Sequence, residues 1–221
     1  MEQNIKPTTE ETLIYIAIKY KNAIISVLVL ILFVGAGTFF WVRNQQTREQ
    51  EASQQLSRIA PFLDQGDFAA AINGKDKLAG LKKIADTYAG KFIGTPSGNM
   101  ANLLLANAYY SIGDFDNALK VFKSVSLSNN DLAAASLAGA GDCYFNKNQF
   151  EPAADNYREA AKKTGNTVLK AQYLAHEASS YQESNQLAKA AELYNKIIAD
   201  YPGTPGAAIA QNSLLRISGN L

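Results

Sequence analysis

Hydrophobic positions along this chain change pattern at Arg43. From Ala23 to Val42 twenty residues pass without a charge (AIISVLVLILFVGAGTFFWV). As a helix this run measures about 30 Å, the thickness of a bilayer's hydrocarbon. Thirteen of its residues are Leu, Ile, Phe or Val. At roughly −0.3 to −0.6 kcal/mol each, they favour insertion by about 4–8 kcal/mol. Beyond Arg43 the apolar residues come in shorter stretches. Helices are expected over 44–65, 76–89, 98–112, 115–125, 131–146, 150–163, 167–184, 187–200 and 205–217. No segment alternates with period two for long, so no strand is expected.

The apolar run is read as an uncleaved membrane anchor. A signal peptide has a shorter apolar region, followed by small residues at the cleavage site. Here the run ends in Phe39-Phe40-Trp41-Val42-Arg43, and Trp41 stands where an interfacial aromatic belongs. A lipoprotein needs a Cys just after the run, and the single Cys is Cys143. The flanking cations balance, with Lys6, Lys19 and Lys21 before the span and Arg43, Arg48 and Arg58 after it. Lys19 and Lys21 lie tight against the span and the head is short. The head is therefore expected inside and the large C-terminal part exported. In the head, Thr8-x-x-Glu11 after Pro7 is a capping-box pattern. Leu13, Ile16, Ala17 and Tyr20 follow at helical spacing, as in an interfacial amphipathic helix or an extension of the membrane helix.

The exported part repeats itself. Gly113-Asp114-Phe115-Asp116-Asn117-Ala118 leads to Phe122, Asn148-Gln149-Phe150-Glu151-Pro152-Ala153 to Tyr157, and Asn185-Gln186-Leu187-Ala188-Lys189-Ala190 to Tyr194. Ala106 and Tyr109, Gly141 and Tyr144, and Ala178 and Tyr181 stand upstream at one common offset. The steps between repeats are 35 and 37 residues. Such a pattern describes helix–turn–helix units. The small residues let helices approach, the aromatics fill the space between pairs, and stacking buries faces that one pair could not bury alone. A degenerate fourth unit precedes them. Gly66-Asp67-Phe68 repeats the turn, Lys83 to Tyr88 echoes the end of the last repeat, and Gly94-Thr95-Pro96 echoes Gly203-Thr204-Pro205. Ile72 to Lys75 is an inserted stretch.

At these residues the chain resembles the tetratricopeptide repeat family, although Asn102, Leu137 and Leu174 replace the usual first-helix Trp. The expected fold is all-α, a single N-terminal transmembrane helix followed by a tetratricopeptide-repeat solenoid. Its parts are a head at 1–22, a span at 23–42, a stalk helix with the degenerate repeat at 43–97, three repeats at 98–204 and a capping helix at 205–221. This layout also resembles the single-span YfgM-like family, the ancillary subunit of the bacterial Sec translocon. That resemblance implies a bacterial inner-membrane protein with its repeats in the periplasm. Its implied partners are Sec translocon subunits, exported client chains or periplasmic chaperones. A scaffold in envelope assembly or cell division would leave the same trace.

Charge and chemistry narrow the function. Residues 44–221 hold 17 basic and 17 acidic side chains, which argues against nucleic acid as a partner. One His and one Cys leave little for nucleophile-and-base catalysis, so no enzyme, cofactor, metal or small-molecule substrate is expected. Cys143 is expected as a packed, inert thiol and His176 as a solvated polar residue. Asp67 and Asp114 follow Gly in turns, which explains them without a metal. In the tetratricopeptide repeat family the first helix of each pair lines the concave face. Transferred by register, that face carries Met100, Leu103, Asn107 and Tyr110, then Ala135, Ala138, Asp142 and Phe145, then Gln172, Ala175, His176, Ser179 and Gln182. No Lys or Arg is among them, so a basic clamp for a peptide carboxylate is missing. The face suits extended apolar chain or a partner helix.

Overall fold

The computed structural model describes residues 8–91 and 93–217, with the Glu11 side chain left aside. The capping box therefore lies partly outside the described residues, as do Lys6 and Pro7. The chain divides into two compact units, Met1–Thr47 and Arg48–Leu221.

In the first unit, α1 (Thr9–Lys19) is separated from α2 (Lys21–Ile59) by the single turn residue Tyr20. The Tyr20 N–H still donates to the Ile16 carbonyl and the Ile24 N–H to that of Tyr20, at 2.9 Å each. The helical hydrogen-bond pattern thus runs on across the break. Leu32, Phe33, Phe39, Phe40 and Trp41 are all exposed. Among the described residues, one helix is long and apolar enough to cross a membrane, and none of its apolar window is buried.

The second unit is an array of helix pairs. The last turns of α2 pack with α3 (Pro61–Asp64), α4 (Phe68–Asn73), the hairpin of β1 (Gly74–Lys75) and β2 (Leu78–Ala79), and α5 (Leu81–Tyr88). Three pairs follow, α6 (Pro96–Ser111) with α7 (Phe115–Ser124), α8 (Asn130–Asn146) with α9 (Phe150–Lys163), and α10 (Thr167–Glu183) with α11 (Leu187–Asp200). Helix α12 (Pro205–Ile217) packs on both α10 and α11. Expected and observed helix limits agree within two residues from α6 onward. Four apolar clusters run along the array, each shared by consecutive helices. Such an array is stabilised mainly by neighbour-to-neighbour contacts.

The same turn recurs in every pair. Gly66, Gly113, Asn148 and Asn185 all take positive φ, at 74°, 78°, 57° and 60°. Only Gly, or less readily Asn, adopts that conformation at small cost, which is why this position alternates between those two residues. In each turn two N–H groups close back on the preceding helix, Asp114 onto Tyr109, Gln149 onto Tyr144, Gln186 onto Tyr181 and Asp67 onto Phe62. Phe62 is thus the degenerate unit's counterpart of the three tyrosines. Asp67 and Asp114 cap the helices that follow, accepting from the N–H of Ala70 and Asn117 at 3.1 and 3.2 Å. The Gly-Thr-Pro echo is a helix start. Thr95 accepts from the Gly98 N–H at 3.0 Å and Thr204 from the Ala207 N–H at 3.2 Å, each just before a Pro.

Two expectations are corrected. Strands do occur. Gly74 pairs with Ala79 and Lys75 with Leu78, so the second helix of the degenerate unit is interrupted and resumes only at Leu81. Adding a Cβ at Gly80 would bring it within 2.4 Å of the Ile72 carbonyl oxygen, so the hairpin folds tightly onto the helix it interrupts. A two-residue strand is too short to show alternation. The expected helix over 44–65 also differs. It breaks at Ala60, and from Arg48 on it is part of the array, with Ala52 and Ile59 wholly buried. Arg48 donates to the Thr87 carbonyl at 2.9 Å, and Glu49 accepts from the Ser97 N–H and hydroxyl at 3.0 and 2.6 Å. Its polar sequence reflects these contacts as much as solvent.

The small residues are where helices meet most closely. Ala106, Ala118, Ala153, Ala178 and Ala190 have no exposed surface. A Cβ on Gly139 would lie 2.3 Å from Phe122 Cζ, and one on Gly141 2.9 Å from Tyr157 Cε1. Gly139→Ala should destabilise the array by about 1–3 kcal/mol through overpacking, and Ala153→Leu by a similar amount. Denaturant midpoints of the full chain in non-ionic detergent check this. Unchanged midpoints would mean that the ring moves aside freely.

Candidate functional site

The candidate face is built on α6, α8 and α10, and the repeat register decides what each side chain meets. Asn107, Asp142 and Ser179 occupy one repeat position. There the aromatic of the second helix points its tip at the first. Tyr157 donates its hydroxyl to Asp142 Oδ1 at 2.6 Å. The Tyr194 hydroxyl lies 3.1 Å from Ser179 Oγ and donates to Gln182 Oε1 at 3.2 Å. In the first repeat the aromatic is Phe122, which has no hydroxyl, and Asn107 is left exposed. Tyr157 and Tyr194 are themselves buried, and their hydroxyls hold this face from beneath, a role that repeat spacing alone assigns to packing. The signal lay in the sequence, as a Tyr wherever its partner is Asp or Ser and a Phe where it is not paired.

The expected face residues separate by burial. Leu103 is 5% exposed, packed among Ala106, Ala118, Phe122 and Cys143, so it belongs to the core rather than to an accessible groove. It meets the following pair at Ala140 and Cys143. Ala138 and Ala175 are buried as well. Met100, Tyr110, Ala135, Asp142, Phe145, Gln172, His176, Ser179 and Gln182 are half-buried. Tyr110 and Phe145 each pack on the first residue of the next helix, with ring centroids 5.5 Å from Phe115 and 5.4 Å from Phe150. The Asn146 amide donates to the Tyr110 hydroxyl at 3.0 Å and to the Asp142 carbonyl at 2.9 Å, tying α6 to α8.

His176 is not the solvated residue its sequence context suggests. Its ring stacks on Tyr157, with centroids 5.2 Å apart and planes at 27°. Burial holds its pKa below the ordinary value, and the nearby Asp142 charge opposes that only in part. Asp142 is the electrostatic hub. After burial, its charge is the next cause pushing up the phenols of Tyr110 and Tyr157. The same two causes lift the Cys143 thiol to about 12, which fits a packed, unreactive cysteine. Among the described residues Asp142 forms no ion pair.

Cations instead tie one pair to the next. Lys123 and Arg158 each follow the second-helix aromatic, and each reaches the first-helix Tyr of the next repeat. Lys123 donates to the Tyr144 hydroxyl at 2.6 Å and Arg158 to that of Tyr181. Arg158 Nε also donates to Glu177 at 2.7 Å, and Glu177 is 5% exposed. Burial alone would lower the Arg158 pKa, but its bonds to Glu177 hold it up. No group of three His, Cys, Asp or Glu among the described residues could hold a metal ion. The half-buried row comes from three neighbouring repeats and mixes polar, aromatic and aliphatic side chains.

Two predictions follow from these side chains. Arg158→Leu leaves the Glu177 carboxylate buried without its cation, and should lower stability by about 1–3 kcal/mol in a denaturant titration. His176 is the single His of the chain, so its titration can be isolated. Its folded pKa lies below its unfolded value, so the unfolded chain binds the extra proton. Stability is then constant above the unfolded pKa, about 6.5, and falls as pH drops from there through the folded value. The thermal midpoint of the full chain should fall more between pH 7.5 and 5.5 than that of His176→Gln. Equal falls would count against a neutral, buried ring.

Residues 18–140, more than half of the chain, match the tetratricopeptide repeat-like domain family, and residues 176–204 match the tetratricopeptide repeat. The longer match takes in the apolar helix as well as the degenerate unit and the first full repeat. No match was found among curated proteins. Repeats of this kind are interaction modules that bind protein partners and are typically not catalysts. With its recurring turn and its shared helix-to-helix cores, the chain belongs to the tetratricopeptide repeat-like family.

Proposed function

We propose that this protein is a membrane-tethered adaptor that holds protein partners outside the cytoplasm. In this reading 1–22 is a cytoplasmic head, 23–42 spans the bacterial inner membrane, and the array from 43 onward stands in the periplasm. Its partners are Sec translocon subunits, exported client chains or periplasmic chaperones. One observation carries the interaction reading. A row of half-buried residues, from Met100 through Asp142 to Gln182, runs along the first helices of three adjacent repeats. Shallow polar and apolar contact of this kind fits extended chain or a partner helix better than an enclosed small molecule. The apolar helix supports the tether, and the layout shared with YfgM-like proteins supports the location.

A photo-crosslinking residue at Asn107, which is exposed, tests the assignment in intact membranes. Adducts with translocon subunits and newly exported chains are expected. Adducts confined to envelope-assembly or division proteins would replace the adaptor by a scaffold, and no protein adduct would remove the interaction reading. Topology is tested by Ser128→Cys, an exposed site beside the α8 cap. It should react with a membrane-impermeant thiol reagent in intact spheroplasts, and the buried Cys143 should add little background. Labelling only after lysis would place the array inside.

A further inference from the structure

The hairpin that interrupts the degenerate unit gathers cations. Arg58 on α2, Lys77 in the hairpin turn and Lys83 on α5 come from three elements and line one cleft of about 300 Å³. Gln55, Leu78 and Ala79 complete its lining, and no carboxylate takes part. Arg58, Lys77 and Lys83 form no ion pair among the described residues. Asp67 lies 3.6 Å from Lys75 and Glu51 accepts from the Tyr88 hydroxyl at 3.1 Å, while the exposed Asp76, next to Lys77 in the turn, and Asp86 on α5 stand outside the lining. The cleft is a built one. A Cβ on Gly74 would lie 2.3 Å from the Leu78 carbonyl oxygen, and Leu78 and Ala79 pack against the first apolar cluster.

The three cations are exposed around one cleft with no carboxylate in its lining, so a bound anion can be met by all of them at once. We propose that this cleft is a binding site for a phosphate group, either on a lipid headgroup or on a small phosphate ester. Phosphate suits it better than a single carboxylate. Its several oxygens can meet three cations at once, the Arg58 fork matches two of them, and the lysines supply point charge. Leu78 and Ala79 give an apolar wall for the ester substituent. The site is independent of the partner-binding face.

Hydrogen exchange over residues 74–83 of the full chain is the test. The ligands are glycerol phosphate in non-ionic detergent, and nanodiscs of phosphatidylglycerol compared with phosphatidylcholine alone. At ten times its Kd a ligand of the folded hairpin slows exchange about tenfold. Slowing by glycerol phosphate identifies a soluble ester, and slowing only in phosphatidylglycerol identifies a headgroup. The effect should vanish in Arg58→Gln/Lys77→Gln/Lys83→Gln and persist in Lys162→Gln/Lys163→Gln/Lys196→Gln, which removes the same charge elsewhere. Lys77→Gln alone, in the exposed turn, serves if the triple variant loses its helical circular dichroism, and it should weaken the effect at least threefold. No slowing with either source overturns the proposal, as does equal slowing in the cleft and control variants. Slowing by a Glu-rich peptide but by neither phosphate source would assign the cleft to an acidic polypeptide instead.

Discussion

An aromatic ring resting where a side chain would otherwise begin sets the spacing of this array. Phe122 lies so close to Gly139, and Tyr157 to Gly141, that one extra carbon on either glycine would collide with the ring. The alanines at 106, 118, 153, 178 and 190 are wholly buried. Close approach lets each short amphipathic helix bury its apolar side against two neighbours. A helix of ten to seventeen residues, the span found from α6 to α11, has little stability alone, and tertiary packing supplies most of it. Phe122 on Gly139 joins one pair to the next, and Tyr157 on Gly141 closes a pair on itself.

The turn keeps the repetition in register. The left-handed residue at 66, 113, 148 and 185, with its two returning hydrogen bonds, fixes where one helix ends and the angle at which the next begins. Because the turn is intact in the degenerate unit, that unit tolerates an inserted hairpin between α4 and α5 and still stacks on α6. Gln55, Glu51 and Arg48 tie α2 to α5 through Tyr88 and the Thr87 carbonyl, and Glu49 ties it to α6 through Ser97. The insertion adds surface without breaking the order of layers.

Charge is also placed by the repeat register. Cations that follow the second-helix aromatics bind the tyrosines of the next repeat. In the row from Met100 to Gln182 the carboxylate at the shared repeat position, Asp142, is held by a phenol instead of a cation. Its charge reaches Tyr110, Cys143, Tyr157, Tyr173 and His176. The row thus combines polar groups with aromatic surface.

Periodicity by itself determined the repeat, its three full copies, the positions of the small residues and nearly every helix limit from α6 onward. These follow from local constraints, since a left-handed turn needs Gly or Asn and a helix start favours Thr followed by Pro. The apolar run of 23–42 was equally legible, because length and composition are its physics. Burial between helices could not be read from the chain alone. Leu103 and Gln182 share a helical pattern of spacing, yet one is packed under Phe122 and the other meets the Tyr194 hydroxyl. His176 stacks on a ring nineteen positions earlier in the chain. The hairpin at 74–79 is two short pairs of residues with no alternation to betray it. Local propensity acts within one turn of helix, whereas exposure is settled by which neighbour arrives from a distant part of the chain, and only the tertiary structure decided that.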